Sequence, residues 1–182
     1  YELGAKSMLL DNRLQLNISA FNYDYTDLQA QGADPDLIGS LLLQNAADAD
    51  IKGVEIEIKA LPFENLELDV GLSWLDAEFS DFETVISGGS VNVKGNELPQ
   101  APKFTANVAA QYTLPIKDWG DVTLRGDYYY SAEKFFTEFN TDRARQKPYS
   151  LLNARVSFQS QEGDWELSLF GKNLTDELVF MF

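Results

Sequence analysis

Apolar and polar side chains alternate with a period of two along much of this chain. Between residues 66 and 74, for example, Leu, Leu, Val, Leu and Trp occupy the even positions, and Glu, Asp, Gly and Ser occupy the odd ones. Because successive side chains of a β-strand point to opposite faces, this pattern predicts strands with one apolar face. Such runs predict eight strands of an all-β, antiparallel fold, at 3–5, 14–20, 54–58, 66–74, 104–114, 122–130, 152–158 and 165–169.

The length of these runs favours a membrane. Allowing for frayed ends, most of them extend over roughly 9–14 residues, whereas strands of soluble proteins usually have about 5–6. A tilted strand needs about 9–11 residues to cross a bilayer. We therefore predict a transmembrane β-barrel whose apolar side chains face lipid and whose polar side chains face water inside. The side chains expected to face lipid include Leu16, Ile18, Val54, Ile56, Leu68, Val70, Val108, Val156 and Leu167.

The connections between the predicted strands alternate between short and long. The short ones carry the Asn, Asp, Pro and Gly residues typical of turns, at 10–12, 62–65, 117–120 and 160–163. The long ones are predicted as loops, at 26–50, 80–102 and 136–148. Outer-membrane barrels have short turns in the periplasm and long loops outside, so this alternation indicates that class more specifically than the strand period does.

Aromatic residues gather near both ends of the predicted strands. Belts of this kind are typical of the two interfaces between a membrane barrel and water, and the alternative for any single aromatic residue is a place in an ordinary core. The predicted girdle contains Tyr23, Tyr25, Trp74, Tyr128 and Tyr130 near the long loops, and Trp119 and Trp165 near the short turns.

Composition removes several classes of function. The chain has 182 residues and a formal net charge of −15, which argues against a nucleic-acid surface built from clustered Lys and Arg. It contains no Cys and no His, which excludes disulfides, Cys/His zinc sites and a Ser-His-Asp triad within these residues. Carboxylates on the polar faces, such as Glu55 and Glu57, are interpreted as members of hydrated ion pairs. We therefore expect no enzymatic activity, no cofactor and no metal centre.

The path of the chain bears on how much of a barrel is present. If the short turns lie in the periplasm, the first predicted strand runs towards that side and the eighth runs away from it. Known outer-membrane barrels start and finish on the periplasmic side, so a resemblance to them implies at least one further strand at each end. No run of about 18 apolar residues occurs in the sequence, so no transmembrane helix is predicted.

Four segments resemble TonB-dependent outer-membrane receptors. NYDYTDLQ at 22–29 resembles a strand end of that family, and NAADADIKGVEIE at 45–57 resembles its strand with the pattern N…A…KGvElE. GNELPQAPKF at 95–104 resembles the segment G..lP.aP.f that leads into a later strand. GKNLTDE at 171–177 resembles the segment v.NLtDe that comes shortly before the final strand. The matches follow the family's order along nearly the whole chain.

The resemblance implies an architecture and a function. Large outer-membrane transporters have about 22 strands around a plugged lumen. Residues 1–182 would then form roughly the last third of a barrel domain, without the plug domain and the final strand. The family imports scarce ligands, such as ferric siderophores, haem, cobalamin or oligosaccharides, across the outer membrane of Gram-negative bacteria. The expected partners are outer-membrane lipid, an extracellular ligand and TonB, which acts through the absent plug.

Charged residues in two predicted loops are candidate ligand contacts. Asp34 and Asp36 lie in the first long loop, where carboxylates would suit a hard cation or a cationic ligand. Arg143 and Arg145 lie in the third long loop, where a basic cluster would suit an anionic siderophore or a lipopolysaccharide phosphate. Solvated loop charge is the alternative interpretation at both places.

Two other classes stay open at this point. A small self-contained outer-membrane barrel with a structural or adhesive role would show the same alternation of polar and apolar residues. A soluble β-barrel or sandwich that binds a small ligand would instead enclose the apolar faces in a core and would fold without detergent. What covers the apolar faces in the structure therefore separates the membrane classes from the soluble one.

Overall fold

The computed structural model, which describes residues 1–33, 41–86 and 89–180, contains eleven β-strands and a 3₁₀ helix at Asp142–Ala144. In chain order, the strands are β1 (Glu2–Leu9), β2 (Leu14–Ala33), β3 (Leu41–Ala60), β4 (Leu66–Ile86), β5 (Gly89–Asn92), β6 (Phe104–Ile116), β7 (Gly120–Ser131), β8 (Lys134–Phe135), β9 (Arg145–Gln146), β10 (Tyr149–Ser160) and β11 (Glu166–Gly171). All eight predicted strands are present, so the all-β, antiparallel prediction is confirmed.

Eight of the strands form one antiparallel meander, in the order β1-β2-β3-β4-β6-β7-β10-β11. β5 folds back on the far end of β4, and β8 pairs with β9 in a separate two-stranded sheet. β1 and β11 form the two edges of the meander, and within the described residues they do not pair with each other. Strands that follow one another in this way are the connectivity of an up-and-down barrel wall.

The two ends of the sheet differ in their connections. At one end, which we call the short-turn end, tight turns join β1 to β2, β3 to β4, β6 to β7 and β10 to β11. Asn12, Asn65 and Asp118 adopt positive φ in these turns, a conformation that Asn and Asp tolerate better than most residues. The opposite end, which we call the long-loop end, carries the remaining connections. The predicted alternation of short and long connections is confirmed.

The predicted loop boundaries are wrong at the long-loop end. β2 continues to Ala33 and β3 begins at Leu41, so most of the predicted loop 26–50 is a paired hairpin. β4 extends into the second predicted loop, where it pairs with β5, and the third contains the 3₁₀ helix and β9. The β2–β3 pairing shifts its register between Tyr25 and Leu28, which breaks the period of two on which the sequence prediction depends.

The register of the sheet brings the predicted apolar positions together on one side. One row across six strands consists of Leu16, Ile58, Val70, Val108, Tyr128 and Leu152. Directly paired residues of neighbouring strands point to the same side, so these rows form a continuous surface, which we call the apolar face. A slip by one residue would move every one of these side chains to the other face.

The opposite side of the meander, which we call the polar face, carries charged residues along the same stretch of the strands. They are Glu2, Lys6, Glu55, Glu57, Lys59, Glu67, Asp69, Asp121, Arg125, Asp127, Arg155 and Glu166. Charged and apolar side chains are thus separated by the thickness of a single sheet. This separation matches the barrel prediction, in which one face meets lipid and the other meets water.

The apolar face is not enclosed by a core. Val108 keeps 38% of its surface exposed and Val156 keeps 45%, and no second layer of described residues lies over this face. The buried cluster of the structure is small and lies at the long-loop end, where it contains Ala47, Phe79, Phe82 and Val93. A soluble sandwich or barrel would show the reverse distribution, with its alternating apolar positions buried.

Candidate functional surfaces

The apolar face ends in a row of aromatic rings towards the long-loop end. The ring centroids of Trp74 and Phe104 lie 5.0 Å apart, and those of Phe104 and Tyr130 lie 5.9 Å apart. From Val122, near the short turns, to Tyr130 the band measures about 27 Å along the strand, at roughly 3.4 Å per residue. At the tilt of about 35–45° usual in barrels, this band spans about 19–22 Å across the membrane, somewhat less than the apolar height of about 25 Å found in outer-membrane proteins.

Charge returns to this face directly beyond the aromatic row. Lys52 pairs in register with Asp76, and its Nζ lies 3.0 Å from the Asp76 Oδ2. The next row in the same direction contains Asp50 and Glu78. Between this boundary and the short turns, the described strands place no charged side chain on the apolar face. Such a limit is expected where hydrocarbon gives way to headgroups and water.

Four of the predicted girdle residues lie near the ends of the apolar band. Trp74 and Tyr130 are on the apolar face, close to the long-loop end, whereas Tyr128 pairs in register with Val108 further into the band. At the short-turn end, Trp165 packs on Phe158 with ring centroids 5.2 Å apart, and Trp119 lies in the β6–β7 turn. Their contact with a membrane interface stays a prediction.

Tyr23 and Tyr25 do not fit the predicted girdle. They occupy odd positions of β2 and therefore share the polar face with Asn17, whereas the apolar side chains of this strand occupy even positions. The Tyr23 hydroxyl donates a hydrogen bond of 2.9 Å to the Glu2 Oε2 on the same face. We therefore exclude both tyrosines from the girdle, because the sheet separates them from the apolar band.

One pocket on the polar face lies across β2, β3, β4 and β6 and has a volume of about 340 Å³. The Asn17 Nδ2 donates to the Glu57 Oε2 over 3.1 Å, while the Asn17 Oδ1 is buried without a partner among the described residues. Asn107 covers Gly71 so closely that a Cβ there would lie 2.6 Å from the Asn107 Oδ1. The pocket presents amide and carboxylate groups, which suit a polar partner rather than an apolar one.

A second pocket, of about 410 Å³, lies on the polar face between β7, β10 and β11. Its walls include Arg125, Asp127, Arg155, Phe170 and Lys172. Three cationic groups lie there beside two carboxylates, Asp127 in the wall and Glu166, which pairs with Arg155, in a chain whose formal net charge is −15. The local charge is therefore positive by one unit, in contrast to the net charge of the chain.

At the long-loop end, Asn140 joins two connections into what we call the loop cluster, residues 93–103 and 133–146. Its Nδ2 donates to the Glu97 carbonyl oxygen over 3.0 Å, and its Oδ1 accepts from the Glu97 amide over 2.6 Å. The Asn96 Nδ2 also donates to the Glu138 carbonyl oxygen over 2.8 Å. The β4–β6 and β7–β10 connections therefore fold against each other rather than separately.

An ion pair closes the base of the loop cluster. The Lys103 Nζ lies 2.9 Å from the Glu97 Oε1, and the Glu97 side chain is only 16% exposed. The hydrogen bond to Glu97 raises the pKa of Lys103, although partial burial of the amine opposes the change. The stabilisation from this pair is therefore present at neutral pH and is lost as the pH rises through the raised pKa of Lys103.

The predicted ligand contacts fall in different environments. The Arg145 guanidinium lies 3.2 Å from the Glu133 Oε2 and 3.1 Å from the Asp142 Oδ1, so its charge is balanced within its own loop. Arg143 is exposed in the 3₁₀ helix. Asp34 and Asp36 lie outside the described residues. Arg143 is thus the residue of the predicted basic pair that is better placed to meet a ligand.

Two features are absent from the described ranges. No group of three or more His, Cys, Asp or Glu side chains there is arranged to hold a metal ion. None of the helices in those ranges is long and apolar enough to cross a membrane.

Comparison with protein families decides the assignment of the chain. A family model described as "TonB dependent receptor-like, beta-barrel" matches residues 1–174. The chain belongs to this family. The resemblance drawn from the four sequence segments is thereby confirmed, and the meander is part of the wall of a TonB-dependent receptor barrel.

Solved siderophore receptors share the fold of this segment. The ferric yersiniabactin uptake receptor FyuA from Yersinia pestis is 23% identical with a TM-score of 0.77, and the match covers 97% of this chain and 24% of that one. The siderophore receptor PiuA from Acinetobacter baumannii is 22% identical with a TM-score of 0.76, with coverages of 97% and 24%. BauA, the ferric preacinetobactin receptor of Acinetobacter baumannii, is 22% identical with a TM-score of 0.71, with coverages of 97% and 25%. The chain thus spans about a quarter of the length of these receptors.

Two features of this TonB-dependent receptor segment are not predicted from its sequence. The first is the role of Asn140, for which the sequence offers only the weak signal that Asn tolerates the φ of 49° that it adopts. The second is the direct pairing of Arg125 with Arg155, which depends on the register between β7 and β10.

Proposed function

We propose that this segment belongs to an outer-membrane receptor that imports a scarce extracellular ligand with energy transmitted by TonB. The observation that supports this proposal most directly is the absence of charged side chains from the apolar face of the described strands. This charge-free band extends from the short turns to Lys52 and Asp76. A cationic side chain at the bilayer midplane costs about 2–4 kcal/mol, so a charge-free band of this length suits lipid. The polar face then lines the interior through which the ligand passes.

The open edges of the sheet support a longer barrel. In hydrocarbon, each unpaired backbone group costs several kcal/mol, so β1 and β11 require neighbouring strands on their free sides. We place residues 1–182 within a barrel domain of about 22 strands, the number found in plugged transporters. The plug domain, on which TonB acts, and the final strand belong to the protein outside this range.

A ferric siderophore is the proposed ligand class. FyuA and BauA are described as receptors of ferric yersiniabactin and ferric preacinetobactin, and both share the fold of this segment. The loop cluster and Arg143 would contact the chelate outside the cell, and the polar face would contact it on its way inwards. The receptor binds and moves the chelate without changing it, so no catalytic residue is assigned.

Growth under iron restriction tests this proposal. A Gram-negative strain without siderophore receptors of its own would carry the full-length receptor, in one background with TonB and in one without it. We expect growth on at least one of a panel of ferric siderophores when receptor and TonB are both present. Growth that is the same with and without the receptor, for every chelate in the panel, would overturn the import proposal. Recovery of the receptor in the soluble fraction would overturn the outer-membrane location.

A further inference from the structure

The polar face carries a basic patch in an otherwise acidic molecule. Arg125 of β7 and Arg155 of β10 pair directly in register on this face. Lys172, just beyond β11, completes the wall of the same pocket. Like charges that face each other across neighbouring strands repel. Asp127 and Glu166 offset the two arginines, and Lys172 has no ion-pair partner among the described residues, so the patch keeps an excess of positive charge.

Carboxylates of the protein fix the two guanidinium groups without using all of their donors. The Arg125 Nε and Nη2 both donate to the Asp127 Oδ1, over 3.0 and 2.7 Å. The Arg155 Nη2 donates to the Glu166 Oε1 and the Ser168 Oγ, each over 2.8 Å. A guanidinium has five N–H donors, and the Nη1 groups of both arginines have no partner in the part of the chain that the structure describes. Both guanidinium groups are thus fixed on the polar face and keep unused donors there.

The pocket beside these donors also offers an apolar surface. Phe170 lies in its wall and points to the polar face of β11, where it pairs in register with Arg155. Ala154 contributes another small apolar group. At about 410 Å³, the pocket falls in the range of about 300–1,000 Å³ that is usual for small-molecule sites.

We infer that Arg125, Arg155 and Lys172 form a binding site for a carboxylate-bearing organic anion, whose apolar part contacts Phe170. Guanidinium groups suit this chemistry because their donors match the geometry of a carboxylate. The inference rests on the proposed function, in which the polar face lines the path of the ligand. It narrows that function to chelates with free carboxylate groups.

Binding of simple carboxylates to the purified, detergent-solubilised full-length receptor tests the site. Citrate and benzoate would be titrated as probes by calorimetry against the unmodified receptor and the double variant Arg125→Gln, Arg155→Gln. We expect the double variant to bind citrate about tenfold more weakly, because two charge-assisted contacts are lost. Lys59→Gln is the matched control, since it removes an exposed cation from the polar face in the other pocket, and it should leave citrate affinity within about twofold.

Further variants separate binding from folding. Gel mobility with and without heating reports whether each variant is folded. If the double variant does not fold, Lys172→Gln, which lies outside the strands, tests the site in its place. We expect Lys172→Gln to weaken citrate binding about threefold, and Phe170→Ser to weaken benzoate binding more than citrate binding. Failure of citrate to bind the unmodified receptor, or equal binding by the folded arginine or lysine variants, would overturn the site. These titrations require no uptake, so their failure leaves the import proposal standing, and a failed growth test leaves the site standing.

Discussion

At the scale of single residues, close contacts across strands decide which positions tolerate a larger side chain. Gly53 of β3 pairs in register with Phe21 of β2, whose ring covers it. A Cβ on Gly53 would lie 2.6 Å from the Phe21 Cζ and 2.7 Å from the Trp74 carbonyl oxygen. Gly126 of β7 provides the contrast, because a Cβ there would meet no heavy atom within 4 Å. The first glycine is required by its neighbours and the second is not.

We therefore expect Gly53→Val to lower the free energy of unfolding by about 1–3 kcal/mol, the usual cost of forcing extra atoms into a filled space. Gly126→Val should leave it unchanged or raise it slightly, because Val suits a strand and the position is open on the apolar face. Urea unfolding of the full-length receptor in detergent micelles measures both. Equal unfolding midpoints for the two variants would show that Phe21 does not restrict Gly53.

Part of this residue-scale detail is predictable from the sequence. Tyr23 and Tyr25 are odd-numbered, whereas Leu14 and Leu16 are even-numbered, so strict alternation assigns the tyrosines to the polar face. Grouping them with Trp74 by residue type ignores that parity. The covering of Gly53, by contrast, depends on the register between two strands, which the pattern within one strand does not specify.

At the scale of strands, adjacent residues of β6 provide opposite tests of the two faces. Val108 lies in the middle of the apolar face, and Ala109 lies on the polar face between Asp69 and Asp127. We expect Val108→Arg to reduce assembly into the membrane, because the charge would cost about 2–4 kcal/mol near the midplane. Ala109→Arg should assemble normally, because its charge would meet two carboxylates and water.

The fraction of receptor that resists unfolding in unheated gel samples measures this assembly. Equal assembly of Val108→Arg and Ala109→Arg would contradict the assignment of the apolar face to lipid. A defect confined to Ala109→Arg would reverse the two faces.

The loop cluster gives a second test at this scale, because one side chain ties its two connections together. Removing the Asn140 amide should weaken the contact between the β4–β6 and β7–β10 connections by about 1–3 kcal/mol, because the Glu97 backbone groups lose their partner. We expect faster hydrogen exchange over 93–98 and 137–144 in Asn140→Ala, with unchanged exchange in β6 and β7. Asn140→Gly retains the positive φ but not the hydrogen bonds, so it should behave like Asn140→Ala. Normal exchange in Asn140→Gly would show that backbone conformation, and not the amide, holds the cluster.

The strands are predictable only where an environment imposes the period of two. Within the band, one face meets an apolar surface and the other carries charge, so every strand shows the alternation. Beyond Lys52 and Asp76 the apolar face becomes charged, the chemical difference between the faces disappears, and the sequence reads as loop. The pairing of β2 with β3 nevertheless continues there, because backbone hydrogen bonds do not depend on that difference.

At the scale of the whole molecule, the open sheet predicts how residues 1–182 behave alone. An isolated sheet of this kind would expose the backbone groups of β1 and β11 and the whole apolar band at once. We expect the isolated segment to form no protease-resistant, heat-modifiable monomer in detergent or lipid vesicles, whereas the full-length receptor forms one. A discrete monomer of that kind from residues 1–182 would instead support a small self-contained barrel, since β1 and β11 would then have to pair with each other. Both membrane architectures place the same face against lipid. The comparison separates them because they differ in which strands provide hydrogen-bond partners for the backbone of β1 and β11.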